Sequence, residues 1–264
     1  MSVSATHHTG ALLIFEHRRS ESPLIERVWR SRSERAGTFL SIAASHNEIV
    51  VSRHEGNVFL TIRGPETKST SAECPANGEW LGIRLSLGTY LPSLLPAVLL
   101  DRKDVTLPGV SDQCFLLNGT PWELPSFENA EVFVNRLARL GMIWRDPAID
   151  AVLDGSPREP RTKSLRSTQR HFLKVTGITR NAFRQIERAR YAANLLRQGT
   201  GIADTVFQAG FFDQAHLTRS LKHLIGHTPA RIIQGEAQLS FLYNTSAPDW
   251  LYHCARSHGS PHEK

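Results

Sequence analysis

The sequence predicts an α+β protein of two domains: a β-rich N-terminal domain, then an all-α domain with two helix-turn-helix units. Three observations carry this. Short runs rich in Val, Ile, Phe and Leu recur between Gly10 and Gly119, punctuated by Gly, Asn, Pro and Ser, which is the pattern of a β-barrel or sandwich. From Ser164 onward the apolar residues recur at helical spacing. Charge divides near the same place. Residues 155–233 hold 14 Lys and Arg against 4 Asp and Glu, a net +10, which leaves −4 for the rest of a chain whose total is +6. A basic segment beside a mildly acidic remainder is the footprint of a nucleic-acid module joined to something else. The expected boundaries are 1–125 for the β-rich domain, 126–163 for a helical bridge and linker, 164–234 for the helix-turn-helix domain and 235–264 for a tail.

Composition narrows the class. At 264 residues and 40% apolar content the chain can build real cores. The longest apolar stretch, Leu94–Leu100, is interrupted by Pro96 and falls far short of a membrane span. The N-terminus has no basic region ahead of its short apolar run, so it is not a secretory signal. Cys74, Cys114 and Cys254 are far apart and odd in number, which makes neither a disulfide framework nor a C-x-x-C site. A soluble cytoplasmic protein, with no membrane partner, is expected.

In the N-terminal part, strands are expected at Gly37–Ala43, Glu48–Arg53, Asn57–Arg63 and Glu79–Leu87. Val58, Leu60 and Ile62 alternate onto one face, as do Ile83, Leu85 and Leu87. The Pro-rich Leu91–Leu100 reads as a short helix or loop. Ser126–Trp144 reads as a helix capped by Ser126, with an apolar stripe of Val132, Phe133, Leu137, Leu140 and Trp144 and a weak end at Gly141. That stripe either packs on the β-domain or forms a dimer. Asp146–Leu153 is a second short helix with Pro147 in its first turn, and Gly155–Lys163 is a Pro-rich basic linker.

The most informative stretch is Ile202–Pro229. Ile202, Ala203, Val206, Phe207 and Ala209 form one apolar stripe of a short helix. Gly210 follows, where a helix commonly ends in the left-handed conformation. Either Phe211 or Phe212, or both, plugs the angle between the helices. Asp213 stands at an N-cap position ahead of a second helix, Gln214–Leu224, with its seam at Leu217, Leu221 and Leu224. Gln214, Thr218, Arg219 and Lys222 lie off the seam and His216 at its edge. Gln and Arg suit a helix that enters the major groove, because they bond bidentately to adenine and guanine edges. Spacing alone leaves a helical hairpin with a solvated polar face equally open.

The motif Val206-Phe207-Gln208-Ala209-Gly210-Phe211, followed by Asp213–Lys222 and by Gly226-His227-Thr228-Pro229, resembles the second helix-turn-helix of the AraC/XylS family of bacterial transcription regulators. The resemblance extends back to Ser164. It implies a first recognition helix at Leu165–Val175, capped by Ser164, with Arg166, Ser167, Gln169 and Arg170 toward DNA and Phe172 in the core. Arg180–Arg197 is the scaffold helix between the two units, with Phe183, Ile186, Ala189, Ala193 and Leu196 buried; Arg184, Arg188 and Arg190 are either phosphate contacts or solvated. The second unit brings Gln214, His216, Thr218, Arg219 and Lys222. This sequence departs from the family by placing Pro157 and Pro160 where a full helix precedes the first unit. Either Pro147–Leu153 supplies that helix across the linker or the first unit is degraded.

More weakly, the order Ile25–Trp29, then strands, then Gly64-Pro65-Glu66-Thr67, Leu81–Leu85 and Leu107-Pro108-Gly109 is similar to a cupin-like N-terminal domain of that family. The resemblance implies a DNA-binding transcription regulator, commonly an activator. Double-stranded DNA is its partner, and RNA polymerase, a small-molecule effector and a second copy of the chain are candidate partners. No cofactor, metal or catalytic residue is expected. His46, His54 and Glu55 are not spaced as a metal signature. His216, His223 and His227 lack a carboxylate or cysteine to join them. The alternatives are a DNA-repair alkyl-transfer enzyme carrying such a module, against which three isolated cysteines argue, and a protein-binding scaffold.

Overall fold

The computed structural model describes residues 3–6, 12–101, 105–108, 111, 113–150 and 165–235. The expected linker, the Ser164 cap and the tail past Gly235 lie outside these residues, as do residues 151–153 of the expected helix Asp146–Leu153.

Seven strands form one antiparallel sheet: β1 (Val3–Thr6), β2 (Leu13–Arg19), β3 (Ile25–Ser33), β5 (Glu48–His54), β6 (Asn57–Arg63), β8 (Glu79–Leu85) and β10 (Val105–Thr106). Their order is β1-β2-β3-β8-β5-β6-β10. The expected closed barrel is not found among the described residues. β1 and β10 are the edges of an open sheet, and β4 (Gly37–Ser41) leaves it to pair with β7 (Thr70–Cys74) as a separate ribbon. Two more ribbons pair β11 (Cys114–Leu117) with β12 (Thr120–Glu123) and β9 (Thr89–Tyr90) with β13 (Trp144–Arg145). Two hairpins turn on paired left-handed residues, Glu55-Gly56 between β5 and β6 and Asn118-Gly119 between β11 and β12. That is the two-residue turn whose twist matches its strands.

Each face of the sheet carries a core. Val28, Ile83, Ile49 and Ile62 line up across four strands, with Val51, Leu60 and Leu81 beside them. They pack with Phe115, Trp122, Phe133 and Leu137. The last two come from helix α2 (Ala130–Arg139), which is shorter than the expected Ser126–Trp144. Ser126 forms a turn ahead of it, accepting from the amides of Glu128 and Asn129. The expected stripe is also only half right. Phe133 and Leu137 are buried with Ala130 and Val134, whereas Val132, Leu140 and Trp144 are exposed. Gly141, in the left-handed conformation, ends the helix, and Trp144 lies in β13 opposite Tyr90. Arg18 ties α2 to the sheet through a two-pronged pair with Glu131 (2.5 and 2.8 Å) and a bond to the Phe127 carbonyl.

On the opposite face Trp29 lies flat across Gly82, where an added Cβ would sit 2.0 Å from the indole. Phe15 packs beside it at 5.8 Å between ring centres. This face belongs to the same apolar cluster as the C-terminal helices, and Leu87 joins this cluster rather than that of Ile83 and Leu85. The helices are α3 (Leu165–Thr176), α4 (Arg180–Arg197), α5 (Ile202–Gln208), α6 (Gln214–Leu224) and α7 (Pro229–Ile233); α1 (Pro96–Leu99) is a single turn in the β-domain that packs against α3. Thr179, Asp213 and Thr228 cap α4, α6 and α7 through their side-chain oxygens. Each satisfies an amide that would otherwise lack a helical partner.

A buried carboxylate, Glu48, and a half-buried histidine, His17, shape the pH response. Burial pushes Glu48 up, but Arg84, its cross-strand neighbour at 2.7 Å, pulls it net below the usual carboxylate range. His17 is held down to about 4 by burial and by Arg27 and Arg197. An unfolded His17 takes its proton near pH 6.5, while the folded one refuses it until about pH 4, so stability falls as pH drops through that window. Between pH 6.5 and 5 Glu48 stays charged. Urea unfolding at pH 7 and at pH 5 is therefore expected to show a lower midpoint at pH 5 for the native chain, and a smaller drop for His17→Gln.

Candidate DNA-binding face

The second helix-turn-helix unit is built as its residues dictate. α5 ends where Gly210 takes φ +66°, and the Phe211 amide bonds back to the Val206 carbonyl at 2.9 Å. Phe211 fills the angle between the helices. Its ring meets His216 edge-on at 5.2 Å, and the Arg188 guanidinium of α4 lies 5.6 Å from its centre. Asp213 Oδ1 accepts the His216 amide at 2.6 Å, which starts α6. Leu217, Leu221 and Leu224 form the buried seam.

The expected stripe of α5 needs correction. Ala203 is exposed and Phe207 is 87% exposed, while Thr205 is fully buried. The Thr205 hydroxyl bonds the Gly201 carbonyl at 2.9 Å, so a polar residue enters the core with its partner supplied. Three-residue spacing placed Phe207 on the inner face, but the helix is only two turns long and its exposed side is wider than its buried one.

On α6, Arg219 and Lys222 are exposed on the side away from the leucine seam, and Gln214 is exposed in the first turn. Thr218 is half-buried and donates its hydroxyl to the Gln214 carbonyl at 2.8 Å. His216 is likewise half-buried, and its Nδ1 receives the Phe212 amide at 3.4 Å. Both therefore shape the helix start as well as bordering its open face. On α3, Arg166, Ser167, Gln169 and Arg170 are exposed, with Phe172, Val175 and Thr176 beneath them. The scaffold helix buries Phe183, Ile186, Ala189, Ala193 and Leu196 as expected. Its 18 residues span about 27 Å at the α-helical rise. Arg190 corrects the expectation for its basic residues. It is 2% exposed and donates to the Ala43 carbonyl at 3.1 Å, so it neither faces solvent nor reaches a phosphate.

Sequence reasoning missed how closely this region grips the β-domain. The Ala43 amide donates to the Leu224 carbonyl at 2.7 Å, and the Ser69 amide to the His223 carbonyl at 2.9 Å. Two carbonyls of the last turn of α6, which a helix leaves unpaired, are thus capped from the other domain. Ser45 Oγ donates to Glu187 of α4 at 2.7 Å and meets His46 Nδ1 at 2.9 Å. His46 Nε2 in turn lies 3.0 Å from Glu26 of β3. At α3, His171 Nε2 lies 2.8 Å from Asp146 Oδ2, and Ile149 joins the apolar cluster beneath Phe172. The β-domain and the residues before the linker thus stand against α3. Throughout this docking the polar faces of α3 and α6 stay open.

Residues 162–235 match the family model of a helix-turn-helix domain. The segment is similar to helix-turn-helix domains of the AraC type. The match begins just ahead of α3 and ends at the close of α7, so both units and the scaffold helix lie within it. No curated protein and no solved structure matches the chain. The domain supports a DNA-binding regulator. Among the described residues no helix is long and apolar enough to cross a membrane.

The grip on α6 can be tested at Gly226. It takes φ +84°, and an added Cβ would lie 2.7 Å from Leu40 of β4. Gly199 takes φ +91° with open space around it. Gly199→Ala is expected to cost about 1 kcal/mol of backbone strain. Gly226→Ala is expected to cost about 1–2 kcal/mol more, because Leu40 must move. Urea denaturation of the two variants measures the difference.

Proposed function

We propose that this chain is a sequence-specific transcription regulator that reads DNA with α6 and, beside it, α3. The observation that carries this is the open face of α6. A recognition helix capped by Asp213 and seated on a leucine seam presents Gln214, Arg219 and Lys222 outward with the β-domain docked. Arg219 and Gln214 have the donor geometry for guanine and adenine edges, and Lys222 suits a phosphate. Arg166, Ser167, Gln169 and Arg170 offer a second such face in a segment whose charge is strongly positive. Residues 164–234 form the DNA-binding domain in this reading, and His216 and Thr218 shape the start of α6 while bordering the groove.

The N-terminal domain carries the control. A cleft of about 560 Å³ lies on the sheet beside the turn at Ser126, with Ile14 and Leu81 in its floor and Phe127, Arg32 and Arg53 around it. It is the place for a small-molecule effector. Activation of transcription through RNA polymerase and assembly of two copies rest on the family resemblance, and a cytoplasmic location on the spacing and odd number of the cysteines. The reading assigns no chemical step to the chain.

Selection of bound sites from random DNA at about 150 mM salt tests it, because affinity without a stated salt has no meaning for a basic protein. Two conserved elements about 10 bp apart are expected. A single element leaves α6 alone as the reader. Arg219→Ala is expected to weaken binding by about 1–3 kcal/mol and to relax the base preference in one element. Unchanged affinity and preference in that variant would remove α6 from the groove.

A further inference from the structure

We infer that Phe212 is an additional specificity residue, which reads the C5 methyl group of a thymine next to the bases met by α6. The inference rests on the DNA-reading function proposed above.

Phe212 is 89% exposed, although its neighbour Phe211 is 8% exposed. An isolated surface apolar residue needs no explanation. Phe212 differs by where it stands and how firmly it is held. It directly precedes Asp213, the N-cap of α6, whose backbone is extended at φ −154° and ψ 176°. Phe211 is buried in the angle between the helices, and the exposure of Phe212 shows that its ring points out of that angle. The turn is tied at every step. The Gly210 carbonyl accepts from Arg188 at 3.4 Å, the Phe211 amide bonds Val206, the Phe212 amide bonds His216, and Asp213 caps the helix. The ring is therefore presented outward on a fixed backbone at the leading end of the helix.

In a helix-turn-helix that leading end is the part of the recognition helix that meets base edges. The surroundings favour a polyanion. Gln214, Arg219 and Lys222 are exposed on α6, and the only carboxylate of this turn, Asp213, is engaged as the cap. Among the groups that base pairs show in the major groove, the thymine methyl is the apolar one, and a phenyl ring is a fitting contact for it. A ring that remains in water until DNA arrives gains its burial only in the complex. It gains it only where a methyl replaces a polar edge.

The test compares thymine with deoxyuridine, which lacks only that methyl. In the selected site of the full chain, each thymine is replaced in turn, and binding is followed by fluorescence anisotropy at about 150 mM salt. The native chain is expected to lose about fourfold in affinity at one or two positions flanking the α6 element, the worth of one buried methyl. Phe212→Ala is expected to bind the thymine site more weakly and to show no further loss on the deoxyuridine site. Phe212→Leu keeps part of the sensitivity. An unchanged urea midpoint confirms that the variants fold. The inference is overturned if no replacement affects the native chain, as when the ring serves a protein partner, or if Phe212→Ala loses as much as the native chain does. A chain that selects no site at all overturns the inference together with the reading beneath it, and that result is distinct from a selected site without methyl dependence.

Discussion

The last turn of α6 depends on donors from another domain. A helix leaves carbonyls unpaired at its C-terminus. Here those of His223 and Leu224 are met by the amides of Ser69 and Ala43. The loops that carry these amides follow β4 and precede β7, so the ribbon those strands form is positioned by the helix that it caps. Once this contact exists, other features fall into place. Gly226 must be a glycine because Leu40 and Ser69 close over it. Arg190 is buried because the Ala43 carbonyl, on the same loop, needs a donor. The apolar cluster runs without a break from Trp29 of the sheet to Leu221 of α6.

Buried charge follows the same logic. Glu48 and Arg84 face each other within the sheet, and Glu26 lies beneath His46. Burial alone would raise such carboxylates, but Arg84 beside Glu48, and His46 with Arg84 and Arg190 beside Glu26, hold both below the usual carboxylate range. Removing one partner of such a pair leaves a charge without compensation, which is far more damaging than the pair is helpful. The Glu48–Arg84 pair therefore acts as a fixed point of register between β5 and β8, and the Glu26–His46 pair ties β3 to the segment ahead of β5.

What could be read from the sequence divides along physical lines. Contacts local in the chain were legible. Asp213, Gly210 and the leucine seam specified the second helix-turn-helix, because capping, left-handed backbone and helical period act within a few residues. Asn57–Arg63 gave its strand and its inner face for the same reason. Contacts between distant segments were not legible. Alternation in a strand says that one face is covered, but not whether the sheet closes, so an open sheet with a detached ribbon stood behind the expectation of a barrel. Helical period identified an apolar side on α2 and α5, yet Val132, Leu140 and Phe207 lie in water, because the width of the covering surface is set elsewhere in the chain. In the site, the outward residues of α6 were readable one by one. The burial of Arg190 and the docking of the β-domain were not, since nothing near either residue in sequence announces them. The Asn118-Gly119 hairpin was announced by its dipeptide and could have extended the β region to Glu123.

The capped end of α6 also bears on how such a protein can be re-engineered. Residues 162–235 look like a cassette, to be cut out and joined to a different sensor. The cut passes through the two amide caps, the Arg190 contact and the face that packs under Trp29. The two caps alone are hydrogen bonds worth together about 1–3 kcal/mol, and the uncovered apolar face adds to that loss. A working chimera must therefore carry the loops around Ala43 and Ser69 along with the helices, or supply equivalent donors. The transplantable unit is larger than the family match, and its boundary runs through the β-domain instead of along the linker.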